Sequence, residues 1–168
     1  FICFADVINQ GGYFSLDMPA IIEEAYNLGL RGLKLHPSNL GIAVDSLDMV
    51  PLFRKASDLK MPIMIHSYPY AGQDFDLCAP HRIHRIARAF PDAIIIISHM
   101  GGARWMDALE GSEYIDISTF LPELVRIQGI EGTKRILHEF GGNRLVFATD
   151  YPQVYKVEPE KIYETYFG

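Results

Sequence analysis

The sequence predicts an α/β fold of the (β/α)8 TIM-barrel type, with six parallel strands alternating with helices and the first two strands of the full barrel lacking. Three observations lead there. Short apolar runs alternate with amphipathic, helix-period stretches along the whole chain, the pattern of parallel strands joined by crossover helices. Several of the runs end on a polar, ligand-type residue: Pro62-Ile63-Met64-Ile65-His66, Ile94-Ile95-Ile96-Ile97-Ser98-His99 and Leu145-Val146-Phe147-Ala148-Thr149-Asp150, with Gly32-Leu33-Lys34-Leu35-His36-Pro37 in the same form. Parallel α/β folds gather their reactive groups at such carboxyl ends. The glycine signatures of open, nucleotide-binding sheets, GxGxxG and GxxxxGK[ST], are absent, which favours a barrel over a doubly wound sheet. A complete barrel takes about 250 residues. The 168 residues here suit six strand–helix units in a single domain over residues 1–168.

The elements follow in order. Phe1 to Val7 reads as a strand, and the chain enters it without a methionine, so further sequence is expected ahead of it. Gly11-Gly12 turns the chain. Asp17 is a candidate cap for a helix carrying Pro19 in its first turn and Ile21, Ile22, Ala25 and Leu28 at helical spacing, ended by Gly29. The strand Gly32 to His36 follows. Ser46 then caps a helix whose apolar stripe is Leu47, Val50, Phe53, Ala56 and Leu59. After the strand ending at His66, a loop with Tyr68, Tyr70, Gly72, Asp74 and Asp76 leads to a helix from about Pro80 to Phe90. The isoleucine strand ends at His99, and Gly101-Gly102 opens a short helix near Trp105 and Leu109. Tyr114 to Ser118 is a strand, about Pro122 to Phe140 is helical, and Gly141-Gly142 precedes a last strand that stops at Asp150. The tail from Pro159 to Phe167 is a further helical stretch.

Composition narrows the function classes. A hydrophobic content of 49% with 21% charged residues is that of a globular domain with a sizeable core. A net charge of -6 argues against a nucleic-acid partner, which requires clustered Lys and Arg. No apolar stretch is long enough for a membrane span, and no basic n-region precedes an apolar h-region in these residues, so a secretion signal is not expected. Cys3 and Cys78 form no spaced motif and read as thiols in a reducing compartment, so a cytoplasmic location is expected.

The strand ends supply the candidate chemistry. Side chains two apart share a face of a strand, which groups Met64 with His66, Ile95 and Ile97 with His99, and Val146 and Ala148 with Asp150. If these ends point into one mouth, two imidazoles and a carboxylate converge, a donor set suited to Zn²⁺ and related divalent ions. Such an ion brings the pKa of its water toward 7, a carboxylate can take the proton, and a histidine can steady developing charge. Lys34 shares a face with His36 one layer deeper and is open to three readings: a carbamylated ligand, a charge partner, or a snorkelling side chain. His36 either contacts substrate or shapes the turn before Pro37. Tyr68 and Tyr70, with Asp74, follow His66 on a loop at the rim and are candidate substrate contacts. His81 and His84, three apart on one helix, read as surface residues, and His138 as structural.

Gly29-Leu30-Arg31-Gly32-Leu33-Lys34-Leu35-His36-Pro37, Pro62 to His66, Ile97-Ser98-His99-Met100-Gly101-Gly102 and Phe147-Ala148-Thr149-Asp150-Tyr151-Pro152 together resemble the amidohydrolase 2 family, the branch of the amidohydrolase superfamily that contains aminocarboxymuconate-semialdehyde decarboxylase-like enzymes. The resemblance implies a metal-dependent barrel with a divalent ion, zinc or manganese, at its carboxyl end. It implies His66 as the metal-ligand histidine of the family's fifth strand, His99 as the catalytic histidine of the sixth, and Asp150 as the metal-ligating proton acceptor of the eighth. The family's first-strand His-x-His pair has no counterpart in this sequence, so the ligand set is incomplete, and Phe1 to Val7 corresponds to the family's third strand. Two open strand edges then lead us to expect a homo-oligomer, or an N-terminal segment, covering them. The implied functions are hydrolysis of a small polar carbonyl substrate or, alternatively, nonoxidative decarboxylation. A non-catalytic truncated remnant is the reading from another class.

Overall fold

The structure, a computed structural model, describes residues 4–7, 17–68 and 77–150. The outer part of the first strand (residues 1–3, with Cys3), the rim loop with Tyr70 and Asp74, and the tail from residue 151 lie outside the described residues.

Six parallel strands form one sheet in the order β1-β2-β3-β4-β5-β6. They are β1 (Ala5–Val7), β2 (Leu33–Leu35), β3 (Ile63–Ile65), β4 (Ile95–Ile97), β5 (Tyr114–Asp116) and β6 (Leu145–Val146). Each strand pairs with the next in sequence, so every crossover steps the same way. That is the winding of a barrel wall; a doubly wound sheet reverses its order at a switch point. The sheet is not closed, and β1 and β6 are its edges.

The helices are α1 (Met18–Asn27), the short α2 (Pro37–Leu40), α3 (Val50–Asp58) after a 3₁₀ turn at Leu47–Met49, α4 (Pro80–Ala89), α5 (Trp105–Leu109) and α6 (Leu121–Phe140). Ser46 caps the 3₁₀ turn through Asp48 N, whereas Asp17 stands at the N-cap of α1 without a side-chain capping bond. Apolar side chains on one sheet face, Leu33, Leu35, Ile63, Ile65, Ile95, Ile97 and Ile115, are at most 2% exposed. They pack with Leu52, Phe53 and Ala56 of α3, Ile83 and Ile86 of α4, and Leu124, Ile136 and Phe140 of α6. Each large aliphatic side chain buried this way contributes about 1.5–3 kcal/mol. Lys34 and Met64 lie on the other face, half-buried.

Two expectations are corrected. The last strand does not run to Asp150: β6 is Leu145–Val146, its last ladder bond is Ile117 N to Val146 O at 3.2 Å, and Phe147 is already 65% exposed. As an edge strand, β6 pairs on one side only, with β5. His84 is not a surface residue: it is 5% exposed, bonded to Glu113 and to the Asp107 carbonyl of α5. The helical region expected from about Pro122 to Phe140 is α6, kinked at Gly129, which takes φ 68° and ψ 170°, a conformation glycine adopts without a Cβ clash. Among the described residues, no helix is long and apolar enough to cross a membrane.

Candidate active site

The carboxyl ends of β2 to β5 place His36, His66, His99 and Asp116 in one neighbourhood. His66 directly follows β3, and its Nδ1 lies 3.1 Å from His99 Nε2. The His36 ring stacks on the His66 ring at 3.8 Å. Tyr68 sets its ring edge-on to His99 at 6.0 Å. Lys34 Nζ donates to Ser98 Oγ at 3.1 Å, one layer below the imidazoles.

His99 reaches this cluster by an unexpected route. The register pairs Ile65 with Ile97, so strict alternation would aim residues 66 and 99 at opposite sheet faces. The chain leaves the strand instead: His99, Met100, Gly101 and Gly102 all have positive φ, from 55° to 78°. For His99 and Met100 this is the left-handed region that L-residues avoid. The turn swings the imidazole back toward His66. Asp116 holds it there, its Oδ1 accepting from His99 N at 3.2 Å and from Ser118 N at 2.8 Å.

Burial and mutual repulsion set the charges. Burial, then the nearby His36, His99 and Lys34, push the His66 pKa down to about 3. His99 is also lowered, chiefly by burial and further by Lys34 and His36, against the opposing pull of Asp116 and Asp150. Lys34 is lowered by burial, with Asp116, Asp150 and Asp6 pulling it back up. The site therefore holds neutral His66 at physiological pH, with an amine beside it surrounded by carboxylates. His36 Nδ1 accepts from Asn39 N at 3.4 Å, capping α2.

Asp150 is exposed, with φ 57°, and accepts from Thr119 Oγ1 at 3.0 Å. It acts electrostatically on Lys34 and His99. Tyr70 lies outside the described residues. Neutral imidazole and carboxylate have the donor chemistry of a divalent-cation site. Among the described residues, however, no three or more His, Cys, Asp or Glu side chains are grouped closely enough to hold an ion. The donors fit in kind and fall short in number.

Sequence reasoning passed over Asp116, Ser118, Ser98 and Thr119. The signal was present in Tyr114-Ile115-Asp116-Ile117-Ser118, where polar residues alternate at the carboxyl end of a strand. A cavity of about 570 Å³ lies elsewhere, at the opposite ends of β4 and β5, lined in part by His84, Arg88, Ile95, Glu113 and Tyr114. Its polar wall is an internal ion pair, His84 Nδ1 to Glu113 Oε2 at 3.0 Å, with His84 Nε2 donating to Asp107 O at 2.8 Å. Its position at the amino ends of the strands is the stabilising face of a barrel, so the reactive groups and the large cavity are in different places.

The same arrangement of strands and helices appears in known proteins. The chain superposes on an uncharacterized TIM-barrel protein from Bordetella bronchiseptica with a TM-score of 0.76 at 22% identity, covering 98% of this chain and 59% of that one. A probable 2-pyrone-4,6-dicarboxylic acid hydrolase from Acinetobacter baumannii, with citric acid bound, superposes at TM-score 0.61 and 15% identity, with coverages of 94% and 62%. A 5-carboxyvanillate decarboxylase from Novosphingobium aromaticivorans, with bound manganese, gives 0.66 at 16% identity, with 96% and 57%. At these identities the likeness shows the fold, a TIM barrel of which the chain spans about three-fifths. No curated protein matches the chain. The amidohydrolase sequence family matches residues 12–156, most of the chain and all four strand-end motifs. The chain belongs to the amidohydrolase family.

Proposed function

We propose that the strand-end cluster is the active site of a metal-dependent hydrolase acting on a small polar carbonyl substrate. The observation that carries this reading is the contact at 3.1 Å between half-buried His66 and buried His99, with His66 kept uncharged. Buried imidazoles that stay neutral near pH 7 are what a site needs to accept a proton or to donate a lone pair. His66 and Asp150 would hold a zinc or manganese ion together with ligands beyond the described residues, since catalytic zinc usually has three protein ligands. Such an ion supplies Lewis acidity toward a carbonyl or a water. In this reading His99 would act on the water or the substrate, and Asp150 would accept a proton from an attacking water. Lys34, with Tyr68, His36 and Tyr70, would contact and orient the substrate.

A second reading, nonoxidative decarboxylation, is supported by Lys34: an amine beside the imidazoles is a partner for a substrate carboxylate. One of the structural relatives above is described as a probable hydrolase and another as a decarboxylase, so the fold does not choose. Incubation of the purified protein with candidate lactones and aromatic acids, with Zn²⁺ or Mn²⁺ added, separates the two. Ring-opened acid indicates hydrolysis, released CO₂ indicates decarboxylation, and neither product would refute both and favour a non-catalytic remnant. Metal analysis tests the ligands: His66→Ala and Asp150→Ala are each expected to abolish metal binding, and unchanged stoichiometry in both variants would refute the assignment.

A further inference from the structure

Two residues behind His99 remain without a role in that reading, Ser118 and Asp116. Both are 2% exposed, and both are in hydrogen-bond contact with His99 or with each other. His99 Nδ1 lies 2.8 Å from Ser118 Oγ. Ser118 Oγ in turn meets Asp116 Oδ1. We propose that Asp116 and Ser118 are positioning residues that fix His99 in its Nδ1–H form and, through it, leave His66 Nε2 as the one unprotonated nitrogen of the imidazole pair that is free for a ligand.

The argument is an accounting of donors and acceptors. Asp116 Oδ1 already accepts two backbone N–H groups, from His99 and Ser118, so toward Ser118 Oγ it can only accept again. The serine hydroxyl hydrogen must therefore point at Asp116. Its oxygen then faces His99 Nδ1 with lone pairs alone, and Nδ1 must carry a hydrogen. A neutral His99 with Nδ1 protonated has a bare Nε2. That nitrogen faces His66 Nδ1 at 3.1 Å, so His66 Nδ1 donates and its Nε2 is left bare. No hydrogen bond to His66 Nε2 is found among the described residues. One buried carboxylate, anchored by two backbone amides, thus sets the tautomers of two rings in series. Hydrogen-bonded partners behind a reactive histidine fix its tautomer and orientation in this way.

The inference rests on His66 and His99 being site residues, but its test needs no turnover. Long-range proton–nitrogen NMR on the imidazole rings of the metal-free protein reads the tautomers directly. The expected result is a single Nδ1–H form for both rings. Ser118→Ala is expected to release His99 into a tautomer mixture, and Ser118→Thr, which keeps the hydroxyl, to preserve the wild-type pattern. An Nε2–H form of His99 in the wild-type protein, or a wild-type pattern surviving in Ser118→Ala, would overturn the proposal. Should Ser118→Ala fail to fold, the wild-type and Ser118→Thr spectra still decide. In a turnover assay, Ser118→Ala is expected to lower kcat roughly 10-fold or more with KM little changed, and Ser118→Thr to restore it. An inactive wild-type protein with the expected spectra would overturn the functional reading and leave the tautomer assignment standing.

Discussion

Replacing Glu113 by glutamine leaves a buried imidazolium without its counter-charge. The His84 and Glu113 side chains are 7% and 4% exposed and meet at 3.0 Å. Hydrogen bonds with Glu113 and with the Asp107 carbonyl raise the His84 pKa against the opposing effect of burial. The hydrogen bond from His84 lowers Glu113, again against burial. Breaking one partner of such a pair costs about 3–5 kcal/mol. The substituted amide would keep an oxygen toward the ring, and His84 would keep its bond to Asp107 and could shed its proton, so the lower end, about 3 kcal/mol, is expected. The sign with pH follows from both shifts. The raised His84 contributes fully below its ordinary value of 6.5 and fades as pH rises through its folded value. The lowered Glu113 contributes fully above 4.5 and fades as pH falls through its folded value. The loss in Glu113→Gln should therefore be greatest between 4.5 and 6.5 and shrink on both sides. Urea unfolding followed by fluorescence of Trp105, the one tryptophan, at several pH values between about 4 and 9, measures it. A loss below about 1 kcal/mol in the middle of that window, or one that does not vary with pH, would refute the ion-pair reasoning.

Three further outcomes are expected. Phe53, fully buried and stacked on Phe90 at 5.8 Å, should lose about 3–5 kcal/mol of stability on Phe53→Ala in the same urea experiment. Gly102→Ala should destabilise by at least ~1 kcal/mol and alter the His99 NMR signals, because a Cβ at Gly102 would stand 3.0 Å from Tyr68 Cα at φ +55°. In chelator-treated protein, His66 makes the fold acid-sensitive. Its folded pKa of about 3 lies below its ordinary value of 6.5, so the unfolded chain binds the proton first and stability falls as pH drops through that interval. The slope is at most about 1.4 kcal/mol per pH unit, and His66→Gln should flatten it in an acid-unfolding titration.

The wall of the barrel was legible because its signal is local. Ile63–Ile65 and Ile95–Ile97 are apolar runs bounded by breakers, and the parallel ladder followed from their alternation with helices. His66 lies where the run ends, and position alone announced it. His99 was legible as a strand-end residue but its aim was not. Alternation would have turned it away from His66, and the left-handed torsions that turn it back depend on contacts with Asp116, 17 residues downstream. Asp116 and Ser118 went unremarked because an alternating strand looks the same whether its polar face meets solvent or a buried ring. The burial of His84 is illegible for a related reason: its partner Glu113 is 29 residues away, and nothing in the α4 sequence marks that turn of helix as the inward one. The early end of β6 is likewise a matter of neighbours, not of propensity.

The left-handed turn over residues 99–102 has one more consequence. An ordinary side chain is aimed by its rotamer, which packing can readjust at modest cost. The His99 imidazole is aimed by its own left-handed backbone torsion as well, with a carboxylate clasping its amide, and the three positive-φ residues after it carry the chain away toward α5. It behaves as the end of a short lever with its pivot at Ser98-His99, where the chain leaves β4. The helix beyond, α5, could drift or be remodelled over generations while the ring keeps its bearing; a single residue added to or removed from the pivot would point it somewhere else altogether.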